Sequence, residues 1–181
     1  MTIIVFDCET TGLLAPIAAG SPYQPYLIEL YAIKFDMNLN RLGEYAILVK
    51  PPIRIPEDAI KMHGITNERV ADEESFAALY EEIAGYFLGS KVLVGHNIMY
   101  DKMVLFWELV RLGKEMNFPW AVGSICTAEV SAQYHGHRLN LQDLHIDLFG
   151  EGFSGAHAAS ADCEITAKCF IEMVGKGMIK L

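Results

Sequence analysis

Ile3-Ile4-Val5-Phe6 constrains this chain more than any other segment. Three β-branched residues and an aromatic in unbroken succession make a strand that must be covered on both faces, as in a sheet flanked by helices. The run meets Asp7 at its end, and Glu9 follows two residues later. Period-two geometry sends both carboxylates to one side of the strand. Such a pair repels itself unless a proton or a cation lies between the two groups. A divalent metal shared with water and phosphate oxygens resolves the repulsion, and full solvation in a loop is the bland alternative.

The rest of the chain supplies what that strand needs. Leu27 to Phe35 and Glu44 to Val49 are strand-like and joined by the polar turn Asn38-Leu39-Asn40-Arg41, which predicts an antiparallel hairpin. Pro56-Glu57-Asp58 opens a short helix, with proline and acids where a helix start favours them. Ser75 to Leu88 carries apolar residues at helical spacing and Gly89 stops it. Val92 to Val94 predicts a buried strand, Met103 to Leu112 a helix closed by Gly113, and Ala121 to Ile125 a fifth strand. Two shorter helices follow near Ala128–Tyr134 and Leu141–Phe149, and Ser160 is placed to N-cap a last helix reaching about Val174. At 181 residues, 52% of them hydrophobic, the pattern predicts one α/β domain over residues 1–181, with a mixed sheet between helices.

Several function classes drop out. No stretch has the eighteen or so apolar residues of a membrane span, and the first residues lack the basic start of a secretory signal. Cys8, Cys126, Cys163 and Cys169 form no CxxC pair, which fits reduced thiols in a cytoplasmic protein. His135, His137 and His145 invite a zinc reading, but their spacing is not that of a closed structural site and no cysteine pair joins them. Fourteen basic against 23 acidic residues give a net charge of −9, and a protein that grips nucleic acid by bulk electrostatics is expected to be basic. Six of those acids crowd Glu68 to Glu82 around Arg69, which predicts a solvated helical face turned away from any nucleic acid. The Leu14–Tyr26 segment holds three prolines and reads as a long loop of the kind that often serves function.

Asp7 and Glu9 stand in Phe6-Asp7-Cys8-Glu9-Thr10-Thr11-Gly12-Leu13, which resembles the first motif of the DEDDh family of 3′–5′ exonucleases. Gly95-His96-Asn97-Ile98-Met99-Tyr100-Asp101 is similar to the second motif, and His157-Ala158-Ala159-Ser160-Ala161-Asp162 to the third. His63-Gly64-Ile65-Thr66 falls where the family often has the same tetrapeptide, so the resemblance runs from residue 2 to about residue 174. It implies a ribonuclease-H-like fold: a five-stranded mixed sheet with one antiparallel strand and helices on both faces. It also implies that Asp7, Glu9, Asp101 and Asp162 hold two divalent cations, Mg²⁺ or Mn²⁺, with His157 as general base. The implied partner is a single-stranded or frayed 3′ end of DNA or short RNA, released as nucleoside 5′-monophosphates, with DNA proofreading beside a polymerase, or a homodimer, as the setting.

By the same resemblance Thr10, Thr11, Leu13, His63, Asn97 and Tyr100 meet the terminal nucleotide, Leu13 as a wedge against the last base. Helix-start chemistry alone also accounts for Asn97 as a cap and for Asp101 and Asp162 in first turns. Two positions depart from the family pattern. Tyr100 stands where phenylalanine is common, and Cys126-Thr127 replaces a frequent Asp-Thr. The Leu14–Tyr26 loop is longer than usual and is expected to border the substrate groove. The alternative function on the same fold is a catalytically silent, polymerase-associated binding subunit. With the metals meeting the phosphates, the acidic balance predicts a shallow, end-specific grip that depends weakly on salt.

Overall fold

The structure is a computed structural model that describes residues 1–154 and 158–181. The Ile3–Phe6 run lies inside strand β1 (Thr2–Thr10), which continues four residues past the apolar run and takes Asp7 and Glu9 into the strand itself. It is joined by β2 (Leu27–Phe35), β3 (Arg41–Leu48), β4 (Ser90–Gly95) and β5 (Gly123–Cys126), in the spatial order β3-β2-β1-β4-β5. β1 pairs antiparallel with β2 and parallel with β4, and β4 pairs parallel with β5. Because β3 is antiparallel to β2, β2 alone runs against the other four. The expected mixed sheet with one antiparallel strand is what the chain forms.

Central position explains the composition of β1. Ile4, Phe6 and Cys8 point into one core with Leu79, Ile83 and Phe87 of helix α2 (Phe76–Phe87) and Val104, Leu105 and Leu109 of α3 (Ile98–Leu112). Ile3 and Val5 point into a second core with Leu144 of α5 (Leu141–Phe149) and Cys163, Phe170 and Met173 of α6 (Ala159–Gly175). Each fully buried aliphatic or aromatic side chain contributes about 1.5–3 kcal/mol, so polar substitutions along Ile3–Phe6 are expected to unfold the domain. A third, small core of Ile28, Ile55 and Val70 holds the chain around α1 (Glu57–His63) against β2.

Four local expectations need correction. α3 starts at Ile98, five residues before the expected Met103, because the charged residues Asp101 and Lys102 break the apolar pattern although they lie in its first turns. Ser160 is not the N-cap of α6: that position is Ala158, which has no side-chain acceptor, and Ser160 lies inside the first turn. β5 starts at Gly123 rather than Ala121. The Glu68–Glu82 acids do not form one helical face, since residues 67–73 are turns and only Glu81 and Glu82 lie on α2.

Gly95 closes β4 where the chain turns sharply into α3. A Cβ there would lie 2.8 Å from Ile98 Cδ1 and 3.2 Å from its Cα, so only glycine lets the strand end so close to the helix. The Leu14–Tyr26 loop contains two short 3₁₀ turns and docks on α3. Arg111 Nη2 donates to the carbonyls of Ser21, Gln24 and Pro25 at 3.0, 2.7 and 3.1 Å. Its guanidinium lies 3.9 Å from the centre of the Tyr26 ring. Among the described residues, no helix is long and apolar enough to cross a membrane.

Candidate active site

Carboxylates from three elements gather near the end of the central strand. Asp7 and Glu9 are half-buried in β1 and face the α6 side, paired across the strand with Tyr31 and Glu29 of β2. Asp101 falls in the first turn of α3 and is 3% exposed. Its Oδ1 accepts the backbone N–H of Cys8 at 3.0 Å, which fixes it to the strand between the two β1 acids. Asp162 lies in the first turn of α6, half-buried.

These acids act on one another. Burial pushes Asp7 well above the usual carboxylate range, and Asp101, Glu9, Asp162 and Glu29 push it further. Glu9 is raised to about 8 by burial, then by the charges of Glu29, Asp162 and Asp101. Burial also raises Asp101, against the opposing pull of two backbone N–H groups, its own and that of Cys8. Carboxylates in this situation either keep a proton or share a cation. Hard oxygen donors that raise one another fit a divalent ion such as Mg²⁺ or Mn²⁺, which takes few carboxylates and leaves room for water and phosphate. Among the described residues no three His, Cys, Asp or Glu side chains close on one point as a finished coordination shell. The fit therefore rests on the oxygen-donor chemistry of the four acids and on the repulsion that Asp7 and Glu9 feel from the others.

A groove of about 490 Å³ opens beside Glu9. Thr10, Thr11, Leu13, His63 and Tyr100 all line it, so five of the six sequence-derived substrate residues share one surface. Leu13, among these, is 86% exposed. The Tyr100 hydroxyl donates to the Gly12 carbonyl at 2.8 Å and lies 2.7 Å from Thr10 Oγ1, so the hydroxyl absent from a phenylalanine fastens the Thr10–Gly12 turn. Thr11 is 6% exposed; its N–H donates to Tyr26 O at 3.0 Å and its Oγ1 accepts from Tyr26 N at 2.9 Å. That leaves the hydroxyl proton as the group Thr11 can offer a ligand. His63 closes α1, accepts the Ile65 N–H on Nδ1 at 3.0 Å, and is lowered by burial. Asn97 does not join the groove lining: it holds a left-handed conformation before α3, exposed and without a side-chain capping bond.

Three expectations fare differently. His157 lies outside the described residues. The zinc reading of the histidines fails among the described residues: His135 pairs with Asp147 at 3.2 Å, His137 bonds the His135 carbonyl, and His145 is buried against Phe149 and the Glu151 carbonyl. The Leu14–Tyr26 loop contributes no lining residue to the groove, because Arg111 draws it onto α3.

Sequence reasoning missed both Glu29 and the wall formed by Pro56, Asp58, Ala59 and Met62. An acid inside the mostly apolar β2 run was the available signal for Glu29. His96, next to Asn97, has an inward role: Nδ1 meets Thr127 Oγ1 at 2.9 Å, and burial lowers its pKa to about 4, so the ring is neutral at neutral pH. Thr127 thus braces the second motif in the place where an Asp-Thr pair is common.

The comparisons with known proteins bear on the family and the fold. The RNase T family, described as exonuclease, matches residues 4–170. The chain is 30% identical over 179 residues to DNA polymerase III subunit epsilon of Pasteurella multocida (strain Pm70), covering 95% of this chain and 68% of that protein. It is 31% identical over 180 residues to the same subunit of Haemophilus influenzae (strain ATCC 51907 / DSM 11121 / KW20 / Rd), covering 95% and 67%. Among solved structures, exonuclease X in complex with 5′ overhanging duplex DNA matches with a TM-score of 0.67 and 25% identity, over 97% of this chain and 93% of that one. The nuclease domain of 3′hExo, a DEDDh family member, shares the fold with a TM-score of 0.78 at 17% identity, over 98% and 93%. With its acids on β1, α3 and α6 and the family match spanning nearly all of it, the chain belongs to the DEDDh family of 3′–5′ exonucleases, which are phosphodiester hydrolases.

Proposed function

We propose that residues 1–181 form a single nuclease domain that removes nucleotides one at a time from 3′ ends of DNA or short RNA and releases nucleoside 5′-monophosphates. The observation that carries this reading is the grouping of Asp7, Glu9, Asp101 and Asp162 near one strand end, where the charges of Asp101 and Asp162 raise both Asp7 and Glu9. The family uses divalent metal ions. In this proposal the four acids would hold two of them, Mg²⁺ or Mn²⁺. The cations would supply charge neutralisation at the scissile phosphate and activation of the attacking water. His157 accepts the proton of that water, a task suited to a side chain that titrates near neutrality.

The remaining residues orient the strand. The Thr10–Gly12 turn, fastened by Tyr100, faces the terminal nucleotide, and exposed Leu13 meets the apolar face of the last base. Met62 and Ala59 on α1 form the opposite wall, with His63 at its end. In this proposal frayed or single-stranded 3′ ends are the preferred substrate, since a groove of about 490 Å³ suits a terminal nucleotide. The net charge of −9 fits a grip made through bound cations and apolar walls, with weak dependence on salt. The epsilon relatives are polymerase subunits by name, which points to a polymerase as partner class and the cytoplasm as location.

The test is release of mononucleotides from a 3′-labelled single strand. Mg²⁺-dependent release that Asp7→Ala abolishes is the expected result. Equal rates with and without EDTA, or an unaffected variant, would overturn the proposal. Parallel reactions on single-stranded DNA, duplex DNA with a mismatched 3′ end, and short RNA assign the substrate.

A further inference from the structure

The sheet places one more acid beside the site than the family motifs contain. Glu29 of β2 stands directly across from Glu9 of β1, a like-charge pair that destabilises an antiparallel ladder unless something compensates. Tyr31 and Ile33, on the same face of β2, belong to the core that packs on α6, so Glu29 points toward the start of that helix.

α6 needs what Glu29 can give. The first N–H groups of a helix have no partner within it, and the N-cap position here is Ala158, which has no acceptor to offer. Burial raises the Glu29 pKa while the backbone N–H of Ala159, the first residue of the helix, lowers it, which sets this carboxylate near the helix start. A carboxylate at that end also meets the positive end of the helix dipole. The charge of Arg69 acts on the same carboxylate. Arg69 is held nearby because its N–H bonds Thr66 Oγ1 at 3.3 Å and Val70 is buried against Ile28, the neighbour of Glu29.

The consequence concerns Asp162, three residues beyond Ala159 and therefore on the same side of the helix, one turn on. We propose that Glu29 is a positioning residue: it caps α6 from across the sheet and thereby sets Asp162 against Asp7 and Glu9. A local Ser or Asp cap would stabilise the helix equally well, but only a cap supplied by β2 ties the helix start to the strand paired with β1. Cys163 reinforces the tie on the next residue, its Sγ donating to the Val5 carbonyl at 3.4 Å.

This inference rests on the exonuclease reading, and the test keeps the two separable by measuring amide exchange as well as turnover. In the full chain, Glu29→Gln keeps an oxygen for the Ala159 N–H and removes the charge, whereas Glu29→Ala removes both. Expected in E29A is a loss of exchange protection at Ala159 to Asp162 of about tenfold, the size of one helix cap. Protection in β4 and α3 stays unchanged, kcat falls by about tenfold or more, and KM stays within about twofold. E29Q is expected to keep both protection and kcat within about threefold of the parent. Unchanged protection in E29A overturns the proposal whatever the activity, and E29Q as impaired as E29A overturns it by showing that the charge itself is required. Should E29A fail to fold, E29Q decides alone: loss of Ala159 protection or of kcat overturns the proposal. A parent chain without nuclease activity would overturn the functional reading, while the exchange data would still report on the cap.

Discussion

Asp101 Oδ1 accepts the backbone N–H of Cys8 at 3.0 Å, joining residues 93 positions apart in the chain. Cys8 is the residue between Asp7 and Glu9, so one hydrogen bond sets the helix-borne acid against both strand-borne ones. Asn at position 101 keeps an oxygen for that bond and loses the charge. Asp101→Asn is therefore expected to fold with a melting temperature at pH 8 in EDTA no lower than the parent's, since burial already disfavours the charged form. Activity should fall at least about a hundredfold, because electrostatic help worth several kcal/mol is lost. Calorimetry and single-turnover assays check the two halves; activity within tenfold of the parent would count against the assignment.

Glu9 makes stability depend on pH in a definite direction. Its folded pKa of about 8 lies above the ordinary 4.5, so the native state holds the proton longer than the unfolded chain does. The associated stability is fully present below about 4.5 and is lost as pH rises through about 8. Glu9→Gln lacks this titration. In EDTA its melting temperature should match the parent's near pH 4.5 and exceed it above pH 8 by at least about 2–4 °C, the shift 1 kcal/mol produces in a chain of this size. A difference that does not vary with pH would contradict the burial and repulsion assigned to Glu9.

Tyr100→Phe removes the hydroxyl that fastens Gly12 and Thr10. The loss of that bond is expected to cost about 0.5–1.5 kcal/mol of stability. Because the turn orients the nucleotide rather than the reacting groups, KM should rise several-fold with kcat within about threefold. Steady-state kinetics on a single strand would show it, and a fall confined to kcat would place Tyr100 closer to the chemistry.

Glu108 and Arg111 form a buried pair on α3, 3.2 Å apart, with side chains 7% and 14% exposed. Glu108 also accepts the Leu27 N–H at 2.9 Å, while Arg111 holds the Leu14–Tyr26 loop. Removing one partner leaves the other charged and buried, so Glu108→Ala should cost about 3–5 kcal/mol. Arg111→Ala should in addition expose residues 17–24 to protease. Denaturant melts and limited proteolysis measure both effects. Since the loop lines none of the groove, activity at low temperature should survive in Arg111→Ala.

The sequence and the fold part company at identifiable places. β1, β2 and α5 were legible because their apolar periodicity is set by burial, and α5 spans Leu141–Phe149 as its pattern indicates. The start of α3 was not, since Asp101 and Lys102 interrupt that periodicity for the sake of the site. The four acids were legible as motifs, whereas Glu29 was not, because its role depends on cross-strand register and on a helix start more than a hundred residues away. Ser160 misled as a cap because the helix starts earlier, with Ala158 at the N-cap and Ser160 inside the first turn. The net charge of −9 weighed against nucleic acid only as a whole-chain sum, and the structure concentrates the decisive part of it at one strand end.

Titration of the full chain with Mn²⁺, by calorimetry at pH 7 in buffers of different ionisation enthalpy, tests the central claim most directly. If Asp7, Glu9, Asp101 and Asp162 form a cation site whose members are held partly protonated by burial and repulsion, binding should saturate at about two ions per chain. It should also release protons and be lost in Asp7→Asn. Binding without proton release, or binding that Asp7→Asn leaves intact, would contradict it.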